Sequence, residues 1–137
     1  LEEVPRRVAL VFTEVSLAYP GAAQPSLDRL TFALPPGETL LLVGPSGAGK
    51  SSVLKLLMGF ARPSGGRIAI NGQDATLLAP HELRRLTAYV GQRAHLFAGT
   101  IRENILLARP EASEAELLRA AEAARVLAFT RTLPEGL

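Results

Sequence analysis

Apolar residues in this chain fall into short clusters whose period changes along its length. Residues 8–18 are rich in Val, Leu and Phe, are broken by Glu14, and predict one or two strands closed by Tyr19-Pro20-Gly21. Residues 21–26 predict a loop, and residues 30–34 a short strand ended by Pro35-Pro36-Gly37. Residues 39–43 are almost wholly apolar, the pattern of a strand buried on both faces of a parallel sheet. After a glycine-rich turn, Val53, Leu56, Leu57 and Phe60 take the spacing of one helix face, predicting a helix over residues 50–60 stopped by Gly59, Pro63 and Gly65-Gly66.

Residues 67–70 predict a strand, with Asn71-Gly72 as a hairpin-type turn. Residues 80–86 predict a short helix with Pro80 in its first turn, and residues 87–90 another short strand before Gly91-Gln92. Helices are predicted over residues 100–108 and 113–124. The second has Ser113 and Glu116 as a capping box and Leu117, Leu118 and Ala121 as core. Residues 126–133 predict a last turn or two. The pattern reads as α/β with an added antiparallel β portion and a helical last third.

Composition narrows the possible partners. At 137 residues the chain allows one domain and hardly two, and 47% hydrophobic residues suffice for a core. A net charge of +2, with scattered basic residues, does not predict a nucleic-acid or membrane-surface binder. The absence of cysteine excludes disulfides, thiolate metal sites and Cys nucleophiles. No uncharged apolar run approaches the roughly 20 residues of a membrane helix. The fifteen basic residues are thirteen Arg and two Lys, Lys50 and Lys55, so each lysine raises the question of whether arginine would serve there.

Gly44-Pro45-Ser46-Gly47-Ala48-Gly49-Lys50-Ser51 matches G-x-x-x-x-G-K-[ST], and it follows an apolar segment and opens an amphipathic helix. The glycines let the backbone wrap a phosphate, so that the N–H groups of Gly47, Ala48, Gly49, Lys50 and Ser51 converge on an anion. The helix adds its positive end. Lys50 supplies a compact ammonium for β- and γ-phosphates, and Ser51 a hard hydroxyl oxygen for Mg²⁺. The motif implies a nucleotide and leaves the reaction open.

The surrounding residues resemble the ATP-binding domain of ABC transporters, from about residue 8 to residue 137. Tyr19, in Ala18-Tyr19-Pro20-Gly21, sits where that family places the aromatic that stacks on adenine. Leu34-Pro35-Pro36-Gly37-Glu38 and the stretch from Gly59 to Gly72 are similar to the family's flanks of the phosphate loop. Tyr89-Val90-Gly91-Gln92 resembles its Q-loop, whose glutamine reaches Mg²⁺ and the attacking water. Leu96-Phe97-Ala98-Gly99-Thr100-Ile101-Arg102-Glu103-Asn104-Ile105 resembles the exporter version. Residues 104–113 and 133–137 are similar to bacterial cysteine/glutathione exporters of cytochrome bd assembly.

The resemblance implies a P-loop NTPase core with an antiparallel β portion and the start of a helical subdomain, the sheet being incomplete. Residues 1–7 are expected to be a linker from a preceding membrane domain. Residues 8–92 are expected to hold the β portion and core, and residues 93–137 the start of the helical subdomain. It further implies ATP and Mg²⁺ as cofactors. Binding is assigned to Tyr19, Gly44, Ser46, Gly47, Ala48, Gly49, Lys50, Ser51 and Ser52, metal contact to Ser51 and Gln92, and catalytic roles to Lys50 and Gln92. The implied partners are a transmembrane-domain coupling helix near Leu96, Phe97 and Ile101 and a second ATP-binding domain, at the cytoplasmic face of the inner membrane, with no nucleic acid.

The family's LSGGQ-like sequence, Walker B aspartate, catalytic glutamate and switch histidine are not present, and neither His81 nor His95 matches the last. The expectation is therefore a catalytically incomplete part of the domain, with unpaired apolar strands at residues 39–43 and 87–90. Two rivals use the same loop. A GTPase or small-molecule kinase is opposed by the lack of Asn-Lys-x-Asp and the dispersed arginines, and a nucleotide-gated interaction module by the exporter-like stretch.

Overall fold

The computed structural model describes residues 7–93, 95–130 and 132–134. Its elements in chain order are β1 (Leu10–Leu17), β2 (Leu27–Leu34), α1 (Lys50–Leu57), β3 (Gly65–Ile70), β4 (Gln73–Asp74), a 3-10 turn (Ala75–Leu77), α2 (Pro80–Leu86), α3 (Ile101–Leu106), α4 (Glu114–Ala123) and α5 (Val126–Thr130). The chain divides into two compact units between Tyr89 and Val90.

The first unit is built on an antiparallel sheet of order β2-β1-β3-β4. Strict alternation from Phe12 would turn Glu14 and Ser16 inward. Instead Glu14 adopts φ 50°, and one extra residue enters β1 between its pairings Phe12–Phe32 and Val15–Leu30. This bulge shifts the phase, so Val15 and Leu17 return to the core. A second extra residue in β2, with Arg29 at φ 46°, restores the register before Leu17 meets Leu27. Side-chain hydroxyls serve the displaced amides: Glu14 N–H donates to Thr31 Oγ1 at 2.9 Å and Arg29 N–H to Ser16 Oγ at 3.0 Å. Gly66 (φ 76°) lies against the bulged carbonyl of Glu14, where a Cβ has no room. Glu14 thus bends one strand rather than dividing two.

The expected hairpin turn forms between β3 and β4, with Asn71 at φ 50° and Gly72 at φ 81°. Val53 and Leu56 of α1, Leu83 of α2 and the inward residues of β1 and β3 make one core. Phe12 is fully buried and stacks on Phe32, centroids 4.5 Å apart. Helix α1 ends earlier than its apolar spacing suggests: Gly59 N–H donates to Leu56 O at 3.1 Å and Phe60 N–H to Lys55 O at 2.8 Å, a Schellman end. Phe60 is consequently exposed instead of facing the core.

Residues 39–43 and 87–90 are not strands here. A strand needs a ladder partner, and among the described residues neither segment has one. Most of their apolar side chains are exposed, Leu41 at 80% and Val43 at 79%, as on the unpaired edge expected of an incomplete sheet, while Leu42 is half-buried against the core.

The second unit is helical. Thr100 caps α3 and Ser113 caps α4, each with a reciprocal glutamate at N3. Arg102 forks onto Glu114, one arm at 3.0 Å, and Arg109 reaches Glu116 at 3.1 Å. Leu117 and Ala121 are buried one turn apart, while Leu118, about 100° round the helix, is exposed.

Two outcomes follow from this packing. Phe12→Ala should lower unfolding stability by about 3–5 kcal/mol, read from urea unfolding of the intact protein. The α4 cap should be acid-sensitive. Hydrogen bonds from Ser113 lower the Glu116 pKa, and those from Arg102 lower that of Glu114. Both groups therefore stabilise the folded state above the ordinary glutamate range, and that contribution is lost as pH falls through and below it. Carboxyl-carbon NMR titration should place both midpoints below that of glutamate in an unfolded peptide.

Candidate nucleotide-binding site

The phosphate loop joins the exposed residues 39–43 to α1. Gly49 is its pivot. With φ 86° it serves as N-cap of α1, and its carbonyl accepts from Ser52 N–H (2.9 Å) and Val53 N–H (3.2 Å). A Cβ at Gly49 would collide with the Ser26 carbonyl and stand 2.7 Å from Leu27 Cδ2. The loop is therefore pressed main chain to main chain against the start of β2, which a side chain would prevent.

No side chain caps α1 and no acidic residue lies in its first turn. Among the described residues the N–H groups of Gly47, Gly49, Lys50 and Ser51 have no acceptor, whereas Ala48 N–H donates to Pro45 O at 3.3 Å. These free donors, together with the positive helix end, form a cradle for an anion. Lys50 Nζ folds over the loop and donates to the carbonyls of Gly44 (2.7 Å) and Pro45 (2.6 Å). An ammonium has three donors, so one remains for a phosphate oxygen.

Ser51, in the first turn of α1, is exposed. Ser52 is buried, its N–H inside the helix start and its Oγ 3.5 Å from Tyr19 Oη. Tyr19 is half-buried against the core and lies along α1, with Lys55 Nζ 5.4 Å from its ring centroid. The structure thus sets Tyr19 beside Ser52 and Lys55 of α1, while Gly44, Ser46, Gly47, Ala48, Gly49, Lys50 and Ser51 lie in the loop and first turn that open the same helix. Two neighbours escaped the sequence reading. Nothing local marks Ser26 as the surface that the loop touches. Lys55 was marked only by the scarcity of lysine.

Gln92 belongs to the second unit and is exposed, as is His95, while His81 is exposed on α2 of the first. Twelve residues beyond Gln92, Asn104 clamps a loop. Its Oδ1 accepts from Phe97 N–H at 2.8 Å, and its Nδ2 donates to Phe97 O at 3.0 Å and Thr100 O at 2.8 Å. Leu96 and Phe97, on that loop, are 82% and 65% exposed. Among the described residues no cluster of His, Cys, Asp or Glu is arranged to hold a metal. A magnesium ion bound largely through phosphates and water fits the lone hydroxyl of Ser51.

Sheet, loop and helix define a P-loop nucleotide-binding fold. Residues 27–135 match the ABC transporter family, and the chain belongs to it, as part of its ATP-binding domain. It is 40% identical, over 97% of its length, to a mycobactin import ATP-binding/permease protein, IrtB, of Mycobacterium tuberculosis. It is 39% identical, over 96%, to an ATP-dependent lipid A-core flippase of Chromobacterium violaceum. It spans 22% of the length of each. Its fold superposes on a bacterial Atm1-family ABC exporter with ATP bound at TM-score 0.88 and 38% identity, covering 98% of this chain and 24% of that one.

Gly49→Ala should force the loop off Ser26. The expected result is a loss of at least about tenfold in ATP affinity, by titration of the intact protein, with a stability loss of about 1–3 kcal/mol for the left-handed alanine.

Proposed function

We propose that this chain is the phosphate-cradling part of an ATP-driven ABC exporter. The observation that carries the reading is the cradle itself: unpaired main-chain donors at the start of α1 beneath the Lys50 ammonium. The triphosphate of ATP lies along residues 44–51 and its adenine against Tyr19. Lys50 balances charge on the β- and γ-phosphates while water attacks the γ-phosphorus in line, the bond to the bridging oxygen breaks, and ADP and phosphate leave. Magnesium, when bound, would supply further charge neutralisation, with the Ser51 hydroxyl as a protein contact; a metal role for Gln92 is proposed from its Q-loop position in the sequence alone. Catalysis by these residues is positioning and electrostatics.

The exposed Leu96 and Phe97, with Ile101, receive a coupling helix of the transmembrane domain, and a second ATP-binding domain completes the site from the other side. With these partners the domain acts at the cytoplasmic face of the inner membrane. Export is favoured by the Atm1-family neighbour and import by the mycobactin relative; the exporter-like stretch around Leu96 supports export. The likeness of residues 104–113 to cysteine/glutathione exporters makes a small thiol the first cargo to test.

Lys50→Ala in the intact protein should lower ATP hydrolysis and ATP-driven uptake into inverted vesicles by roughly 10²–10³-fold. Hydrolysis at the unsubstituted rate by a folded Lys50→Ala protein would overturn the reading.

A further inference from the structure

Only two lysines occur among fifteen basic residues, and the phosphate chemistry uses one. The other, Lys55, sits on α1 one turn after Ser52, on the same helix face. Tyr19 is held along that face at two points. Its hydroxyl is 3.5 Å from the buried Ser52 Oγ, and the Lys55 ammonium stands 5.4 Å from its ring centroid. That distance is within cation–π range, and the ring has no other charged partner among the described contacts.

We propose that Lys55 is a positioning residue of the nucleotide site, its ammonium backing one face of Tyr19 so that the other face is presented to the purine base. The inference rests on the reading of Tyr19 as the base platform. Tyr19 follows β1 at the start of the loop over residues 20–26, and its ring is only half-buried. Without a brace, the side chain would lose rotamer freedom on each binding event, which weakens binding. With Ser52 fixing the hydroxyl end and Lys55 fixing one face, α1 sets the platform and the phosphate cradle in one rigid frame. The flexible stem of a lysine brings a point charge over the ring, and a guanidinium, which also stacks on aromatic faces, can serve on the same side.

The test is ATP affinity of the intact protein, with inorganic tripolyphosphate as a ligand that has phosphates and no base. Lys55→Met keeps the stem and removes the charge. It should weaken ATP binding about two- to fivefold and leave tripolyphosphate binding unchanged. In hydrolysis assays KM should rise with kcat unchanged. Lys55→Arg should restore most of the loss, and in a Tyr19→Ala background Lys55→Met should have no further effect.

Unchanged or tighter ATP binding in Lys55→Met, while Tyr19→Ala weakens it, overturns the inference and spares the platform reading. Tighter binding would mean that Lys55 covers the base's own face. Equal losses for ATP and tripolyphosphate would make Lys55 a phosphate cation and likewise overturn it. Unchanged ATP affinity in Tyr19→Ala overturns the platform reading itself.

Discussion

The close approach of Gly49 to the Ser26 carbonyl is the contact on which the rest of the site depends. It presses the phosphate loop onto the first residues of β2, and so ties the cradle to the sheet rather than leaving it on a free turn. Once that contact is made, α1 leaves the loop in a set direction, with Val53 and Leu56 entering the core beside Phe12 and Ile68. The amides at the helix start then have nowhere to turn but outward. The proposed anion site thus follows from packing constraints on the far side of the helix.

The sheet reaches the same end by a different route. The bulge at Glu14 re-phases β1 so that its last residue, Leu17, faces the core and Tyr19, two residues on, lies beside α1. A one-residue change of phase would carry Leu17 to the other face and displace the aromatic from the helix. The Gly66 backbone, with no Cβ, leaves space for the bulge, and Thr31 and Ser16 hydroxyls satisfy the amides it displaces. Aromatic, loop and helix are thus mutually located by main-chain geometry, with few charges involved.

The second unit shows a comparable economy. Asn104 holds both polar groups of the Phe97 backbone, and Leu96 and Phe97 on that loop are exposed. Caps at Thr100 and Ser113 and the Arg102–Glu114 fork set the helices that follow. These bonds are local and exposed, which makes them sensitive to acid and salt in a way the sheet core is not.

What the sequence determined by itself was whatever depends on neighbours along the chain. The phosphate loop, the Asn71-Gly72 turn, the Ser113–Glu116 capping box and the bounds of α2 follow from residue type at short spacing, because turn and cap chemistry is local. Residues 39–43 show the limit of that reading. Their apolar run is strand sequence, yet a strand exists only with a partner to bond, and none is present among the described residues. Tertiary structure alone decided that Ser26 abuts Gly49, that Lys55 stands over Tyr19 and that Ser52 turns inward. Each joins residues more than twenty positions apart, and no periodicity encodes which distant surfaces meet when the core closes.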